Sequence, residues 1–436
     1  MNLNDVAENG IFCDGDWIEK KDQDPNGDVR LIQLADIGDG FFKDVSNRYI
    51  TSEKAKELNC TYLEKGDILI ARLPEPLGRA CIFPLEGKYI TAVDIAVVRV
   101  VRDDIEPKYL MNLINSVGFR AEIKKYESGT TRKRISRKNL GKIEFSIPDI
   151  GEQRKTVEKL EETMSSLDNA VETLNKTKEQ LAVYRQAVLK QAFEGKLTEE
   201  WRLCISPDST KSDFASVQIK NATFKDISGD ENEIKLEMPS TWKKVRFGEV
   251  FDVEVGATPS RRVSEYWNGN INWVSSGEVH FNLISDTNER ITEDGLNHSS
   301  TNVHPKGTVM LAMIGEGKTR GQAAILNISA AHNQNTAAIL VSKTKCQPKY
   351  VYYFLQMNYE NTRRVGSGNN QKALNKERVR ALRFPFCSFE EQKEIVSEIE
   401  SRISVCDNIE ETVNHTLNRA EAMRQSILKM AFEGGL

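Results

Sequence analysis

The sequence predicts a mixed α/β protein made of two similar halves, each a domain of strands and short helices followed by one long helix. Two observations carry this prediction. Residues 143–197 align without a gap onto residues 382–436, at a constant offset of 239 and with about 21 of 55 positions identical. Both segments also show the 3–4 spacing of apolar residues that is typical of an amphipathic helix. A duplicated helical segment at the end of each half indicates a pseudo-two-fold symmetric molecule.

The chain divides into five segments on these patterns. Residues 1–142 and 239–381 mix apolar runs with turns, residues 143–200 and 382–436 contain the long helices, and residues 201–238 form a polar linker. In the first domain, residues 68–71 and 95–101 are predicted as buried strands, and residues 109–126 have helical spacing.

Short motifs recur between the two mixed domains. Lys65-Gly66-Asp67, a turn that leads into a strand, corresponds to Lys306-Gly307-Thr308. Pro107-Lys108-Tyr109 corresponds to Pro348-Lys349-Tyr350 at a helix start, where proline suits the first turn. Because both offsets are 241 while the surrounding sequences differ widely, we expect one fold that carries two different surfaces.

The long helices have clear start signals and a narrow apolar stripe. Capping boxes open them, with Asp149 followed by Glu152 in the first and Ser388 followed by Glu391 in the second. A narrow stripe favours an antiparallel two-helix coiled coil of roughly 60 Å, and a helix packed on its own domain is the alternative. The residues expected in this contact are Leu160, Leu167, Leu174, Leu181, Phe193, Ile399, Ile403, Val413, Leu417 and Phe432.

Composition excludes several classes of protein. The 436 residues leave room for two to four domains, and no apolar run approaches the ~18–20 residues of a membrane span. The N-terminus lacks the basic and apolar stretches of a secretory signal. Seven scattered cysteines without a Cys-x-x-Cys pair, and five histidines without ligand spacing, argue against disulfides and metal sites. A reducing cytoplasm fits best.

Positive charge is concentrated in two windows. The net charge of −4 argues against a uniformly basic nucleic-acid binder. Residues 118–142 nevertheless carry nine Lys or Arg against two acids, and residues 363–383 carry seven against one. Because the windows occupy matching places before the repeated helix, they favour an anionic partner over a merely solvated face.

Catalytic motifs are missing from the sequence. Residues 315–319 lack the glycine spacing of a phosphate-binding loop, and no Gly-x-Ser-x-Gly, His-Glu-x-x-His or Pro-Pro motif occurs. Pro148, Asp149 and Glu152 resemble part of a nuclease carboxylate set, but a helix cap accounts for both acids. We therefore expect a chain that binds and positions rather than catalyses, without a cofactor or metal of its own.

Two loops in matching positions are the best candidates for binding. Residues 128–134 and 367–372 each place a glycine among hydrogen-bond donors, which suits close approach to a nucleic-acid backbone. Asn370 and Gln371 are residue types that read adenine, and arginines suit guanine or phosphate. An ordinary polar loop is the alternative. The full candidate set is Arg72, Arg79, Thr130, Thr131, Arg132, Lys133, Arg134, Arg137, Thr258, Ser260, Arg261, Arg262, Lys318, Arg320, Asn369, Asn370, Gln371 and Lys372.

At these residues the chain resembles the specificity subunits of type I restriction–modification systems. The carrying motif is the paired helix ending Arg-Gln-x-Val/Ile-Leu-Lys-x-Ala-Phe-Glu-Gly at residues 185–195 and 424–434. Pro239-Ser240-Thr241-Trp242, Gly256-Ala257-Thr258-Pro259-Ser260 and Gly277-Glu278-Val279 add to it. The resemblance covers essentially the whole chain.

This resemblance implies a fold and a role. In the family, two target-recognition domains are held apart by two antiparallel helices, and each domain reads one half of a bipartite double-stranded DNA sequence. The helices dock two methyltransferase subunits, and restriction subunits join that core. S-adenosylmethionine, ATP and Mg are then expected on those partners, and this chain is expected to be non-enzymatic, cytoplasmic and free of membrane segments.

One part of the first domain departs from the family pattern. It lacks counterparts of Trp242 and of residues 256–260, and has Asp14-Gly15-Asp16-Trp17-Ile18 instead. Two other readings of the chain stay open. A coiled-coil adaptor with two domains that bind ligands other than DNA is the main alternative, and a fused methyltransferase or nuclease ranks third for want of motifs.

Overall fold

A computed structural model describes residues 1–130, 132–204, 236–315, 317–364 and 374–432 of the chain. The chain forms two compact units. Unit 1 comprises Met1–Lys176 with Thr412–Leu436, and unit 2 comprises Thr177–Glu411. Most of the predicted linker, residues 205–235, falls outside the described residues.

Unit 1 contains a domain of short strands and helices. The strands are β1 (Ile11–Asp14), β2 (Val29–Ile32), β3 (Arg48–Ile50), β4 (Ile68–Ala71), β5 (Ala80–Ile82), β6 (Tyr89–Thr91) and β7 (Ile95–Arg99). The helices are Leu3–Val6, Ser52–Glu57, Pro107–Asn115, Val117–Lys125 and Arg137–Leu140. Both predicted strands are confirmed, and the second of them ends at Arg99. The helical spacing predicted over residues 109–126 corresponds to two helices, because Ser116 takes an extended conformation and its side chain caps the second helix by accepting a hydrogen bond from the Phe119 N–H.

Two sheets build the core of this domain. One has the order β1-β7-β4-β5 with antiparallel neighbours, and the other has the order β3-β2-β6, in which β2 and β6 are parallel. Successive side chains of a strand point to opposite faces. Ile68 and Ile70 accordingly pack with the helix Pro107–Asn115, whereas Leu69 and Ala71 pack with Phe83 on the other face.

Unit 2 contains the second mixed domain. Its strands are β8 (Lys243–Arg246), β9 (Val253–Val255), β10 (Trp267–Val274), β11 (Asn282–Ile284), β12 (Glu289–Ile291), β13 (Val309–Ala312), β14 (Ala323–Leu326), β15 (Ala331–His332), β16 (Thr336–Ile339) and β17 (Arg383–Phe386). Its short helices are Glu199–Cys204, Phe247–Val250, Glu293–Asn297, Pro348–Met357, Tyr359–Arg364 and Lys376–Ala381.

Two sheets of unit 2 repeat the two sheets of unit 1, and an antiparallel pair of β8 and β17 is additional. The order β9-β16-β13-β14 matches β1-β7-β4-β5, and β11 extends it by one parallel strand. The order β12-β10-β15 matches β3-β2-β6, again with one antiparallel and one parallel pair. The predicted common fold of the two mixed domains is therefore confirmed.

Two long helices connect with both units. The central helix is Ile150–Phe193 and the C-terminal helix is Phe389–Phe432, each with 44 residues. The cap oxygens are where the sequence predicts them. Asp149 accepts hydrogen bonds from the N–H groups of residues 151 and 152 at 2.9 and 3.1 Å, and Ser388 Oγ accepts one from the Glu391 N–H at 3.2 Å.

Within unit 1 the two helices run antiparallel. Leu160 shares a buried cluster with Leu428, and further along the central helix Asp168 pairs with Arg424, earlier in the C-terminal helix. The start of the central helix also packs on the domain, because Val157 belongs to the domain core. The coiled coil and the alternative of domain packing thus apply to different parts of one helix.

The helices are antiparallel in unit 2 as well. Arg185 pairs with Asp407 at 2.5 Å, and eight residues later Phe193 shares a core cluster with Ile395 and Ile399. Of the residues predicted for the helix contact, those that are buried are Leu160, Leu181, Phe193, Ile399 and Val413. Those that are partly buried are Leu167, Leu174, Ile403, Leu417 and Phe432.

The helix ends dock in the same way in both units. The Phe193 ring lies 5.1 Å from the Tyr350 ring in unit 2, and the Phe432 ring lies 5.1 Å from the Tyr109 ring in unit 1. These four positions differ by 239 and 241, the offsets of the sequence repeat. The Ala-Phe-Glu-Gly motif therefore places an aromatic anchor on the first turn of a domain helix.

A buried glutamine near the start of each long helix fixes the adjoining domain. Gln153 Oε1 accepts a hydrogen bond from the Glu106 N–H at 2.9 Å, and its Nε2 donates to the Pro148 carbonyl at 2.8 Å. Gln392 accepts from the Gln347 N–H at 3.0 Å and donates in the matching way to the carbonyl of residue 387 at 3.0 Å. Both N–H groups belong to the residue that precedes a domain helix, so each glutamine joins two helix starts.

Glu391 has a different role from the one predicted for it. The carboxylate expected to complete a capping box accepts hydrogen bonds from Trp242 Nε1 and Thr198 Oγ1, both at 2.9 Å, and from Arg202. Trp242 and Glu391 are buried. The group joins the end of the central helix, the beginning of the second domain and the C-terminal helix, which explains why Trp242 opens that domain.

Replacing Gln392 with alanine is expected to lower the free energy of unfolding of unit 2 by about 2–4 kcal/mol, because the partly buried Gln347 N–H and the buried residue 387 carbonyl lose their partner and a cavity forms. Urea unfolding of the full chain, followed by tryptophan fluorescence, measures this, since four of the five tryptophans lie in unit 2.

The matched control is Gln180→Ala, at an exposed glutamine of the central helix in the same unit. It is expected to change the free energy of unfolding by less than about 0.5 kcal/mol. Equal losses for the two variants would contradict an anchoring role for Gln392.

Candidate nucleic-acid interface

In unit 1 a carboxylate at the end of β1 holds two of the predicted arginines. Arg72 Nη1 lies 3.1 Å from Asp14 Oδ1, and Arg137 Nε lies 3.3 Å from Asp14 Oδ2. Arg72 follows β4 directly, and Arg137 opens the short helix Arg137–Leu140. Three separate segments of the chain therefore meet at one point, with two guanidinium groups around one carboxylate.

The predicted loop at residues 128–134 adjoins this point. Ser128 and Arg134 exchange two backbone hydrogen bonds of 2.9 and 2.8 Å, which close a tight hairpin. Gly129 has φ +101°, and a Cβ there would lie 2.3 Å from the Arg132 carbonyl oxygen, so the turn requires glycine. The Ile135 N–H then donates to the Arg72 carbonyl at 3.2 Å, which ties the loop to the end of β4.

The loop presents its polar side chains to solvent. Thr130, Arg132, Lys133 and Arg134 are all exposed, and Lys133 pairs with Glu127 at 3.2 Å. Thr131 lies outside the described residues. These side chains add positive charge beside Arg72 and Arg137.

Arg79 occupies a different environment. It is buried, and its guanidinium donates to the backbone carbonyls of Ile37 at 2.7 Å, Leu34 at 2.9 Å, and Leu73 and Pro76 at 3.2 Å. Burial lowers the pKa of this guanidinium. Because its donors are used to hold the turn that follows β4, we drop Arg79 from the proposed DNA-contacting residues and regard it as a positioning residue.

Unit 2 anchors the corresponding loop with the same hydrogen bond. The Leu374 N–H donates to the carbonyl of Met313, the residue after β13, at 3.0 Å. Residues 374 and 135 differ by the repeat offset of 239. The candidates Asn369, Asn370, Gln371 and Lys372 lie outside the described residues.

The turn after β13 contains two further candidates. Lys318 is exposed, and its carbonyl accepts a hydrogen bond from the Tyr359 hydroxyl. Arg320 is half-buried and donates to the Arg363 carbonyl at 2.9 Å. Lys318 therefore presents its charge to solvent, whereas Arg320 links the turn to the neighbouring helix.

Arg261 has a rigid surrounding in unit 2. Its guanidinium pairs with both carboxylate oxygens of Glu289 at 2.7 and 2.9 Å and lies 4.4 Å from the centre of the Trp267 ring. The ion pair lowers the pKa of Glu289 and raises that of Arg261. Ser260 and Arg262 are exposed on either side, and Thr258 Oγ1 donates to Gln334 at 2.6 Å.

The first domain does have a counterpart of residues 256–263, contrary to the sequence prediction. Gly15 and Gly256 each follow the first strand of their main sheet, and a Cβ on either would lie about 2 Å from a carbonyl oxygen, that of residue 92 or 332. The turns that follow close with equivalent hydrogen bonds of 3.1 Å, from Asp22 to Glu19, and 3.2 Å, from residue 263 to residue 260.

Residues 15–22, which we call the first-strand loop of unit 1, are therefore missed candidates. Two signals in the sequence could have identified them. Gly15 precedes Gly256 by 241 residues, and the basic pair Lys20-Lys21 precedes Arg261-Arg262 by the same number. Both lysines are exposed. Dissimilar residues between these points obscured the match.

A buried pair of histidines, His304 and His332, adjoins the segment at residues 256–260. His304 Nε2 lies 3.1 Å from His332 Nε2, and His332 Nδ1 lies 2.7 Å from Thr336 Oγ1. The His332 carbonyl accepts a hydrogen bond from the Ala257 N–H at 3.0 Å. Burial, with repulsion from His304 second, lowers the pKa of His332 to about 3, so both rings are neutral near pH 7.

Each of the two mixed domains, with part of the long helix that follows it, is similar to known proteins. The sequence model of the type I restriction modification DNA specificity domain matches residues 1–182 and 239–419, one copy in each half. The chain belongs to this family. The resemblance to type I specificity subunits that the sequence indicates is thereby confirmed. The predicted mixed fold of two domains with a long helix between them is confirmed as well.

Individual relatives of the specificity-domain family are distant. The chain is 25% identical over 329 residues to the EcoBI specificity subunit of Escherichia coli, an alignment that spans 73% of this chain but only 64% of that subunit. It is 22% identical to a MjaX specificity subunit of Methanocaldococcus jannaschii, over 99% of this chain and 91% of that one. A solved chain from a type I restriction–modification system shares the fold, with TM-score 0.70, 17% identity, and 100% and 97% coverage.

The described residues contain neither a candidate membrane span nor a candidate metal site. None of their helices is both long and apolar enough to cross a bilayer. Among those same residues, no cluster of three or more His, Cys, Asp or Glu side chains has the arrangement of metal ligands.

The histidine pair is expected to make unit 2 sensitive to acid. An unfolded chain exposes both imidazoles, which then take up protons near pH 6.5, whereas the folded state excludes them. The free energy of unfolding should therefore fall as pH decreases from 7 to 5, with a slope approaching about 1.4 kcal/mol per pH unit for each histidine that stays neutral. His332→Gln is expected to make this slope shallower, as measured by urea unfolding at both pH values.

The exposed His415 provides the matched control, and His415→Gln should keep the wild-type slope. An unchanged slope in His332→Gln would show that other groups cause the acid sensitivity.

Proposed function

We propose that the chain is the DNA specificity subunit of a type I restriction–modification enzyme, in which the domain of each unit reads one half of a bipartite double-stranded DNA sequence. One observation carries this proposal. The first-strand loop and the turn after the central strand, β4 or β13, recur in both units and carry basic residues, of which Lys20, Arg262 and Lys318 are exposed. The segment before a short helix is tied to that turn by equivalent backbone hydrogen bonds, from Ile135 to Arg72 and from Leu374 to Met313.

Charge distribution supports a DNA partner over a neutral ligand. The chain as a whole is acidic, with net charge −4, yet lysine and arginine are concentrated in residues 118–142, nine against two acids, and in residues 363–383, seven against one. Cations that bind phosphate fix the register of a protein on the duplex, and side chains on base edges supply the sequence information. Different residue types on equivalent frames suit two different half-sites.

We further propose that catalysis belongs to partner proteins. The long helices would dock two methyltransferase subunits that hold S-adenosylmethionine, and restriction subunits that use ATP and Mg would join them. This chain would then be a non-enzymatic cytoplasmic component. Its readers would be residues 1–142 and 239–381, and the long helices would set the number of base pairs between the half-sites.

Long-read methylome sequencing of a host that expresses the chain with its methyltransferase subunits tests this function. We expect methylation at a motif of two short half-sites separated by a constant number of unspecified base pairs. Inserting four residues into both long helices adds about 6 Å, close to two base pairs. The insertion should lengthen the spacer and leave both half-site sequences unchanged.

A four-residue insertion in the central helix alone is the control, because it shifts pairs such as Arg185–Asp407 out of register. It should abolish methylation rather than change the spacer. A wild-type complex that methylates a single continuous motif would refute the bipartite reading.

Lys133→Ala is expected to weaken DNA binding of the assembled complex by a similar factor on all sequences. If Lys133 contacts a phosphate, the salt dependence of log K should also fall by about one charge. Fluorescence anisotropy with specific and non-specific duplexes, at several salt concentrations, measures both effects.

Lys65→Ala is a closely matched control. Lys65 has a side chain 61% exposed and pairs with Glu86 at 3.0 Å, against 60% and 3.2 Å for Lys133 with Glu127. It precedes β4, whereas Lys133 lies near the residue that follows β4, so Lys65→Ala should leave the salt dependence unchanged. Loss of discrimination at a single base in Lys133→Ala would instead assign this lysine to base reading.

A further inference from the structure

The most exposed aromatic ring of the described residues lies in the first-strand loop of unit 1. Trp17 is 71% exposed and stands two residues after Gly15, as Thr258 stands two residues after Gly256. Tryptophan is enriched in the contacts that dominate binding, so an exposed tryptophan in a loop with a counterpart at residues 256–263 indicates a contact surface.

We propose that Trp17 is a specificity-determining residue that packs against the C5-methyl group of a thymine in the half-site read by unit 1. This inference rests on the proposed function. It assigns base reading to a segment that the sequence comparison had left without a counterpart.

Position supports this assignment. Trp17 is three residues from Asp14, and three residues of chain span at most about 10 Å. Asp14 in turn holds Arg72 and Arg137 at 3.1 and 3.3 Å. The Cα of Trp17 therefore lies within that distance of the residue that holds both guanidinium groups.

The chemistry of the ring narrows its partner. The single polar group of tryptophan is the indole N–H, and the rest of its ring system is apolar. With 71% of the side chain exposed, Trp17 therefore offers a largely apolar surface to a partner. In the major groove the apolar feature of a base edge is the thymine methyl group.

The neighbouring lysine supplies a matching phosphate contact. Lys20 occupies the position equivalent to Arg261 of unit 2 and is exposed. A cation beside an apolar base-reading side chain fixes the depth and register of the loop on the duplex. The pair thus combines one positioning group and one reading group.

Substitution of uracil for thymine removes only the methyl group and so tests the contact directly. The full chain, assembled with its methyltransferase subunits, is titrated with duplexes in which each thymine of the two half-sites is replaced in turn. For the wild type we expect the dissociation constant to rise about fourfold at one position, as for loss of one buried methyl group. Trp17→Ala should bind the thymine duplex more weakly and show no response to uracil at that position.

Two variants serve as controls. Trp17→Phe retains an apolar ring and should retain part of the uracil response. Phe41→Ala removes another exposed ring of unit 1, one that lines a groove with Leu160 of the central helix, and should keep the full response. The half-site read by unit 2 controls for folding, because its uracil responses should be the same in every variant.

Each remaining outcome overturns the inference. A full uracil response in Trp17→Ala, or a half-site without thymine, removes the methyl contact. Equal weakening on specific and non-specific DNA assigns Trp17 to the backbone, and loss of complex assembly assigns it to a protein contact. A wild-type complex that shows no sequence preference refutes the proposed function itself, which distinguishes the two failures.

Discussion

In each unit, contacts between one domain helix and the two long helices fix the position of the domain. In each unit the side-chain oxygen of a buried glutamine in one long helix accepts a hydrogen bond from the backbone N–H of the residue that precedes a domain helix. A phenylalanine from the end of the other long helix packs on a tyrosine in the first turn of that same domain helix. Neither contact is local in sequence, and each fixes a domain against the helix pair of its own unit.

Ion pairs that join the long helices to each other or to the domain helix occur at equivalent positions in the two units. Arg185 with Asp407 in unit 2 corresponds to Arg424 with Asp168 in unit 1. Lys349 with Glu400 corresponds to Lys108 with Glu161. Partly exposed pairs of this kind add little stability individually. Their value lies in register, because a helix displaced by one turn would leave every pair unmatched.

In each unit, carboxylates hold candidate DNA-contacting cations in place. In unit 1 Asp14 lies between Arg72 and Arg137, and Glu127 pairs with Lys133. In unit 2 Glu289 holds Arg261 against Trp267. Such pairing fixes side chains that would otherwise lose rotamer freedom on binding. In the proposed function, a phosphate or base edge would have to compete with a carboxylate, which disfavours weak and non-specific contacts.

The duplication, the long helices with their caps, the family and the tight turn at residues 128–134 could all be predicted from the amino-acid sequence. These features depend on periodicity, on glycine, and on motifs that are local in the chain. The environment of an individual polar side chain could not be predicted in this way. Arg79 and Arg72 are the same residue type in one turn, yet one binds four backbone carbonyls in the interior and the other adjoins the basic face.

Glu391 was likewise predicted to cap a helix, but its carboxylate accepts a hydrogen bond from the Trp242 indole. The first-strand loop of unit 1 was not found from the sequence, and its turn is evident only in the structure. The physical reason is the same in each case. Hydrogen-bond partners and burial are set by segments far apart in the chain, and the sequence pattern around a residue carries no information about which distant group will meet it.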